Sequence, residues 1–393
     1  MSTPVHLDDD LLAQVRAWRR ALHRHPETAF EEHQTAAFVA DRLRALPGVT
    51  VSTGLAGTGV VASLQGSHPD PTGRAIGLRA DLDALHIHEQ TDLPYASTQR
   101  GRMHACGHDG HTAMLLGAAH ALAAKPDFAG SVHFIFQPAE ENEGGGRVMV
   151  DEGLFDQFPC DAVFGLHNWP GLPEGHIVVR PGPIMAAFDT FEITLEGQGT
   201  HAAKPHQGID PMIPAAQLVL ALQTIASRHT DPTQAVVVSV TQIHGGDTWN
   251  VIPQTVTLRG TVRALDPAVH EAVEPRLRQI THGIAAAHGC RADIRYERRY
   301  PPTVNSVAET ALAQQVARGT FGHEAVITDH APSMGSEDFA FMLQRRPGCY
   351  IWMGIGRDRP PLHNPRYDFN DAILAPGIQY WTALVHTALA PAP

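Results

Sequence analysis

Short apolar runs that alternate with stretches of helical periodicity constrain the fold of this 393-residue chain more than any other feature. The runs predict buried strands at residues 60–64, 75–79, 132–136 and 162–166. Helices are predicted at residues 11–22, 31–46 and from Gly110 onward, with a helix, a strand and a helix later at 306–320, 349–353 and 372–389. Because strands and helices alternate in this order, we predict an α/β domain around a mixed, largely parallel sheet.

The segment from about residue 187 to 298 follows a different pattern. Phe191, Ile193 and Leu195 alternate with polar residues, so this strand has one buried face. The predicted elements are strand, helix, strand, strand, helix and strand at residues 191–195, 210–228, 235–243, 256–263, 267–288 and 292–296. This order is typical of a ferredoxin-like module. We therefore predict a first domain at 1–186 and 299–393, interrupted by an inserted α+β domain at 187–298.

Composition narrows the class of protein. Lys and Arg number 29 against 41 Asp and Glu, and phosphate contacts need clustered basic residues, so no nucleic-acid partner is expected. No apolar run approaches the roughly 18 residues of a membrane-spanning helix, so no membrane partner is expected. The first ten residues lack the basic and apolar regions of a signal peptide. The four cysteines are scattered without disulfide-scaffold spacing, which favours a reducing cytoplasm.

The densest group among the 25 histidines is the stretch His104–His111, which reads His-Ala-Cys-Gly-His-Asp-Gly-His. Cys106 and His108 are separated by one Gly, so a loop before the predicted helix could direct both side chains at one point. Thiolate and imidazole are good ligands for zinc-like ions. A His-rich loop without chemical function and a Cys nucleophile with a His base are the alternatives, although a base two residues away is poorly placed. We predict a metal clamp.

Two adjacent carboxylates, Glu140 and Glu141, follow the apolar strand at 132–136. The carboxyl ends of strands in an open α/β sheet border its usual binding crevice. Adjacent carboxylates suit a division of labour in which one binds a cation and the other handles protons. A solvated acidic turn is the alternative, but the apolar strand before the pair and the Gly-rich segment 142–146 after it favour a shaped turn.

His167 and His363 also come after apolar strands, at 163–166 and 349–353. Taken singly, each is more often a hydrogen-bonded structural residue. Both follow strand ends, as the Glu pair does, and we therefore predict that they join the same site.

Taken together, the motifs resemble those of the aminoacylase and carboxypeptidase superfamily of dinuclear metallopeptidases. Within it, the chain resembles the branch of hippurate hydrolases, N-acyl-amino-acid amidohydrolases and auxin–amino acid conjugate hydrolases. The resemblance covers nearly the whole chain. It is carried by Leu78-Arg-Ala-Asp-Leu-Asp-Ala-Leu85, Met103-His-Ala-Cys-Gly-His-Asp-Gly-His111, Gln137-Pro-Ala-Glu-Glu141, Gly165-Leu-His-Asn-Trp-Pro170, Gly199-Thr-His-Ala-Ala203, Asn250-Val-Ile-Pro253, Gly335-Ser-Glu-Asp-Phe339 and Leu362-His-Asn-Pro365.

The resemblance implies a metal-dependent hydrolase of small N-acyl amino acids, with Glu140 as the general base. Two divalent ions are implied, Zn²⁺ or Mn²⁺, with Co²⁺ or Ni²⁺ as further candidates. The implied ligands are Cys106, which bridges the ions, and His108, Glu141, His167 and His363. The wider superfamily has a His-x-Asp motif where this chain reads Ala80-Asp-Leu-Asp83, so His108 is expected to replace that His. The roles of Asp81 and Asp83 stay open.

The resemblance also makes the inserted domain a lid and dimerisation domain, so a homodimer or higher homo-oligomer is expected. It implies that His201 donates to the oxyanion, in its own or a partner subunit, and that Asn250 and Arg263 contact the substrate. Arg263 lies on the polar face of its predicted strand, as a carboxylate-binding residue would. An exposed Arg without function is the alternative.

Three other functions are alternatives to this interpretation. A dipeptidase or exopeptidase of the same superfamily would differ only in a free amine on the acyl part of its substrate. A metal-storage protein would need no base beside the ligands, whereas Glu140 is there. A thiol hydrolase would keep its activity in EDTA, because it uses no metal.

Overall fold

The computed structural model describes residues 7–391, and these residues divide into two compact units. The first unit comprises residues 7–182, 304–331 and 338–391, and the second comprises 183–303 and 332–337. The whole of the segment 187–298 lies within the second unit. Residues 1–6, which form part of the N-terminal stretch interpreted above, lie outside the described residues.

The described residues form ten α-helices and sixteen strands, numbered in chain order. The helices are α1 (Asp9–Arg24), α2 (His33–Arg44), α3 (His108–Ala124), α4 (Gly145–Asp151), α5 (Leu154–Gln157), α6 (Met212–Arg228), α7 (Pro267–Ala287), α8 (Val307–Phe321), α9 (Ala340–Leu343) and α10 (Leu374–Ala388). The strands are β1 (Val49–Leu55), β2 (Gly59–Gln65), β3 (Ala75–Asp81), β4 (Ser131–Gln137), β5 (Ala162–Trp169), β6 (Ile177–Val178), β7 (Gly182–Met185), β8 (Phe188–Glu196), β9 (Thr200–His201), β10 (Val236–His244), β11 (Val251–Ile252), β12 (Thr255–Ala264), β13 (Arg291–Tyr300), β14 (Thr303–Asn305), β15 (Val326–Ile327) and β16 (Gly348–Gly354).

A mixed sheet organises the first unit. Its strand order within the described residues is β1-β2-β4-β3-β5-β16-β6-β15. The central strands β4, β3, β5 and β16 are mutually parallel, whereas β1, β2 and β4 pair antiparallel. The predicted mixed, largely parallel sheet is therefore confirmed. Because β3, β4, β5 and β16 run in the same direction, their carboxyl ends meet at one edge of the sheet.

The central strands are buried on both faces, which explains why they read as continuous apolar runs rather than as alternating ones. Every residue of β3 and of β16 is buried. Small residues let α3 pack closely, since an added Cβ at Gly117 would lie 2.5 Å from Ile378 of α10.

Among the helices of residues 7–391, none combines the length and the apolar character that crossing a membrane requires.

The second unit contains an antiparallel sheet with strand order β10-β12-β8-β13. The chain forms it in the order β8, α6, β10, β12, α7, β13, which is the predicted ferredoxin-like order. Along β12 buried residues alternate with partly exposed ones, as the sequence pattern indicated. Leu195, Leu222, Leu258 and Leu277 belong to the apolar core of this unit.

Two predicted boundaries near the site were wrong. Helix α3 begins at His108 rather than after Gly110, because Gly107 supplies the left-handed turn at its start. Strand β5 extends to Trp169 rather than ending at Leu166, since Asn168 and Trp169 continue the parallel ladder with Met353 and Gly354. His167 therefore lies inside a strand.

Candidate metal centre

A glycine places Cys106 and His108. Gly107 has a φ of 93°, a left-handed conformation that glycine adopts without strain. A Cβ at this position would lie 2.1 Å from Oδ1 of Asn168 and 2.6 Å from the hydroxyl of Tyr367, so a side chain would not fit. Cys106 and His108 on either side of it are 6% and 1% exposed. The local sequence thus brings a thiol and an imidazole together in a buried position.

The turn that carries Glu140 and Glu141 is strained on both sides. Ala139 and Asn142 flank the pair with φ values of 55° and 69°. Such conformations cost non-glycine residues about 1–3 kcal/mol each and persist where surrounding contacts hold them. The N–H of Glu141 donates to Oδ2 of Asp83 at 2.9 Å, and the N–H of Asp338 donates to Oε1 of Glu140 at 3.4 Å. These contacts keep both carboxylates at the sheet edge.

Two histidines are oriented by contacts at Nδ1. In His108, Nδ1 lies 2.9 Å from the carbonyl oxygen of Asp83, and the buried Nε2 has no hydrogen-bond partner in residues 7–391. In His167, Nδ1 lies 2.6 Å from the carbonyl oxygen of Asn168, and Nε2 lies 3.4 Å from Sγ of Cys106. Metal-binding histidines commonly use one nitrogen in this way while the other binds the ion.

His363 lies in the loop after β16 and has a left-handed φ of 64°. Its N–H donates to the carbonyl oxygen of Ala105 at 2.8 Å, which ties the loop to the residue before Cys106. Its Nε2 lies 3.1 Å from Oε1 of Glu141, and its side chain is 52% exposed. It is the most exposed of the predicted ligands.

The structure thus brings all the predicted ligands together. Cys106, His108 and His167 place ligand atoms within 4.8 Å of one another, as do Cys106, Glu141 and His363, and a further group contains His108, Glu140 and Glu141. Cys106 belongs to two of these groups. His108 and Glu141 each belong to two of these groups as well, but only Cys106 is common to the group with His167 and the group with His363. A donor shared by two neighbouring groups is what a pair of bridged cations requires.

The charge around these donors also fits a cation. Burial opposes the charge of His108, but the carboxylates of Asp81 and Asp83 outweigh it and raise its pKa to about 10. Burial, Glu141 and Glu140 raise the pKa of the Cys106 thiol well above its usual value. A nucleophilic cysteine needs a lowered pKa, whereas a bound cation would itself favour the thiolate. The surroundings therefore fit a metal ligand better than a nucleophile.

A buried polar network that the motifs did not reveal supports the site. His111 lies 2.7 Å from Asp81 and 2.6 Å from Oδ1 of Asn168 through its two ring nitrogens. Arg79 donates at 2.8 Å to each of Asp81, Gln137 and Asp338, although it is 1% exposed on an apolar strand. A charged residue inside an apolar strand was the one sequence signal that could have revealed it, because buried charges need partners.

The other predicted residues lie in the second unit. His201 and Asn250 belong to one local structure, in which β9 pairs with β11 and the N–H of Ala202 donates to the carbonyl oxygen of Asn250 at 2.9 Å. The side chain of His201 is exposed, and its Nδ1 accepts the N–H of Ala203 at 3.1 Å. A neutral ring that accepts at Nδ1 carries its proton on Nε2, so Nε2 is a hydrogen-bond donor.

Arg263 is partly buried. Its guanidinium lies 4.0 Å above the ring of Phe188, and Nη1 donates to Oγ of Ser336 at 3.2 Å. Burial lowers the pKa of Arg263 from its usual value. A guanidinium held by an aromatic ring and a neutral hydroxyl keeps donors available for an anion.

Fold and donor set define the class of protein: a hydrolase built on an α/β sheet, with a donor group suited to two metal ions beside a further carboxylate. The chain belongs to peptidase family M20/M25/M40, whose family model matches residues 77–387. Members of this family act on amide bonds. The family resemblance inferred from the motifs is therefore confirmed.

Particular relatives agree with this assignment. The chain is 42% identical over 376 residues to the N-acetyl-L-cysteine deacetylase of Bacillus subtilis (strain 168), covering 95% of this chain and 87% of that protein. It is 38% identical over 375 residues to the hippurate hydrolase of Campylobacter jejuni, covering 95% and 96%. The crystal structure of a dinuclear metal-binding M20 peptidase from Bacillus subtilis has a TM-score of 0.84 at 35% identity, covering 98% of this chain and 100% of that one.

Proposed function

We propose that this protein hydrolyses the amide bond of N-acyl amino acids and releases a carboxylic acid and a free amino acid. The observation that carries the proposal is the Glu140–Glu141 turn. Glu141 lies in a donor group with Cys106 and His363, and Glu140 lies beside it in a group with His108 and Glu141, which places a second carboxylate next to the predicted ligands, as proton transfer at the metal site requires. The names of the two relatives, a deacetylase of N-acetylcysteine and a hydrolase of hippurate, support an N-acyl amino acid as the substrate.

Cys106, His108, Glu141, His167 and His363 would hold two divalent ions, with Cys106 shared between them. When bound, such ions polarise the acyl carbonyl and make water more acidic. Thiolate and imidazole donors favour zinc-like ions, while the carboxylate also suits manganese. We therefore propose Zn²⁺ or Mn²⁺, with Co²⁺ and Ni²⁺ as further ions to test.

Residues of the chain carry out the proton transfers. Glu140 takes a proton from the attacking water and later delivers it to the leaving nitrogen, as a general base and then a general acid. His201 donates from Nε2 to the oxygen on which negative charge develops. Arg263 and Asn250 hold the amino acid part of the substrate, with Arg263 on its carboxylate.

A substrate screen tests the proposal. Metal-free protein would be reloaded with each candidate ion and assayed with N-acetyl and N-benzoyl amino acids and with the matching dipeptides. We expect hydrolysis of the N-acyl compounds, its loss in EDTA and its return with metal. Cleavage of dipeptides alone would instead identify an exopeptidase, and activity that persists in EDTA would identify a thiol hydrolase.

His201→Ala is expected to lower kcat by about 10²- to 10³-fold, the usual contribution of one oxyanion donor. Metal content should stay at the wild-type value, because His201 is not one of the predicted metal ligands. Steady-state kinetics and elemental analysis check both statements. Unchanged kinetics would show that His201 supplies no catalytic group.

Mixing tests which subunit supplies His201, since we propose a homodimer or higher homo-oligomer. Mixed oligomers of His201→Ala and Glu140→Gln subunits regain activity if His201 serves a partner's site, because one site then receives both intact groups. Mixed oligomers without activity would assign His201 to the site of its own chain.

Arg263→Ala should act mainly on KM. A carboxylate remote from the scissile bond is held similarly in the ground state and the transition state. Losing the Arg263 contact should therefore weaken the binding of both states equally. We expect KM to rise while kcat changes less than about threefold. The matched control is an N-acyl amino acid amide, which lacks the carboxylate. For this substrate the wild type and the variant should have similar KM values, and a difference as large as that for the acid would refute carboxylate binding.

The four cysteines are unpaired and buried, which supports our proposal of a reducing cytoplasmic location.

A further inference from the structure

A buried carboxylate outside the family match contacts the turn that carries the proposed base. Glu32 immediately precedes α2 and is 0% exposed, and the family model matches only residues 77–387. Its Oε1 accepts the N–H of Ala139 at 2.9 Å and the N–H of Phe30 at 3.1 Å, and its Oε2 accepts the hydroxyl of Thr58 at 2.7 Å. No part of the proposed chemistry uses this group.

The two backbone donors share an unusual conformation. Ala139 and Phe30 both have left-handed φ values, 55° and 60°. Side chains disfavour this region, so contacts outside the turn must hold it. One carboxylate oxygen of Glu32 accepts from both residues, so a single side chain holds both left-handed positions. Ala139 directly precedes Glu140, so its backbone angles set the direction in which the Glu140 side chain leaves the chain.

Glu141, the predicted metal ligand next to Glu140, is held by a different hydrogen bond. The N–H of Glu141 donates to Asp83 at 2.9 Å, and Asp83 does not depend on Glu32 for this contact. Burial and the nearby Asp83 raise the pKa of Glu32 to about 7, so the ionised form of this carboxylate is disfavoured at its position. Carboxyl groups with shifted pKa values are found most often at functional sites.

We propose that Glu32 is a positioning residue for Glu140: it holds Ala139 in the left-handed conformation that directs Glu140 toward the substrate. The inference rests on the proposed function, in which Glu140 transfers the proton. The side-chain hydrogen bonds of Glu32 go to Phe30, Thr58 and Ala139, none of which is a predicted metal ligand. Loss of Glu32 should therefore change proton transfer while substrate affinity and metal content stay close to wild type.

Glu32→Ala is expected to lower kcat by about 10²-fold, since a displacement of about 1 Å in a catalytic group has effects of that size. KM should change less than about threefold, and two ions should remain bound. Glu32→Gln should keep most of the activity. Its amide oxygen still accepts both N–H groups, and the Thr58 hydroxyl can accept from its NH₂ group.

Glu27 provides a matched control. It is a buried carboxylate, 8% exposed, that accepts the N–H groups of Gln34 and Thr35 at 3.1 and 2.8 Å. Glu27→Ala should lower Tm at least as much as Glu32→Ala but leave kcat unchanged. If Glu32→Ala does not fold, Glu32→Asp tests the same contact, because the shorter side chain keeps the charge and withdraws the carboxylate from Ala139.

A second substitution tests the backbone argument. Glycine adopts a φ of 55° without strain, so Ala139→Gly in the Glu32→Ala background should restore kcat at least about fivefold. The inference is wrong if Glu32→Ala retains wild-type kcat while Glu140→Gln loses it, or if Ala139→Gly restores nothing. If Glu140→Gln itself keeps full activity, the proposed function fails instead, which separates the two outcomes.

Discussion

Glu140→Gln is expected to lower kcat by about 10²- to 10⁴-fold, the usual contribution of a positioned general base. Gln matches Glu in shape, and its amide oxygen can still accept the N–H of Asp338, so the turn should keep its structure. An amide does not accept a proton at neutral pH, however, and the water would have no base. Stopped-flow or steady-state kinetics under saturating metal measure the effect, and elemental analysis should find two ions per chain.

Glu141→Gln is the matched comparison, because it makes the same chemical change one residue along the chain. Oε1 of Glu141 lies 3.1 Å from Nε2 of His363 and in a donor group with Cys106. Removing its charge should therefore weaken metal binding, with activity recovering partly in excess metal. If Glu140→Gln lost metal while Glu141→Gln kept it and lost only kcat, our assignment of the two roles would be reversed.

Much of the fold could be predicted because its sequence pattern is local. The central strands are apolar on both faces, and the second unit repeats strands whose two faces differ, as in β12. The predicted ligands came together because each lies at the carboxyl end of a strand, in the segment after one or next to the start of α3, and these positions meet at one edge of the sheet. Parallel strands bring their carboxyl ends to that edge regardless of their distance in sequence.

The remaining errors and omissions come from contacts between distant segments. Where β5 ends depends on pairing with β16, whose residues lie 185 positions later in the chain (Asn168 pairs with Met353), so apolar periodicity alone placed the end before His167. Arg79 joins Gln137 and Asp338 in a buried network that no periodicity indicates. In the sequence, Glu32 is an ordinary charged residue before a helix. Only the fold shows that its carboxylate accepts the N–H of Ala139.

The role of the second unit could be inferred from the sequence only through the family resemblance. His201 is exposed, and its Nδ1 contact is made within its own loop, so a donor function depends on where the substrate lies. The local geometry gives the tautomer that such a donor needs. Kinetics of the His201→Ala variant decide whether it serves in catalysis.

Cys106→Ala is expected to remove metal and activity together. Cys106 is the ligand that the group containing His167 shares with the group containing His363, so its loss should weaken both cation positions, whereas loss of His167 or His363 should weaken chiefly one. Cys160→Ala is the control, because Cys160 is also a buried thiol, 8% exposed, but belongs to no donor group found among residues 7–391. It should keep two ions and full kcat.

Because Cys106 would bind both ions, its replacement by Asp gives a further prediction. A carboxylate can also join two divalent ions through its two oxygens. Cys106→Asp should therefore recover more metal than Cys106→Ala, with a preference shifted from zinc toward manganese, because oxygen donors suit manganese better than thiolate does. Metal titrations of both variants, followed by elemental analysis after gel filtration, measure the difference. A Cys106→Ala protein that still held two ions tightly would refute the bridging assignment, since no other predicted ligand is common to the group with His167 and the group with His363.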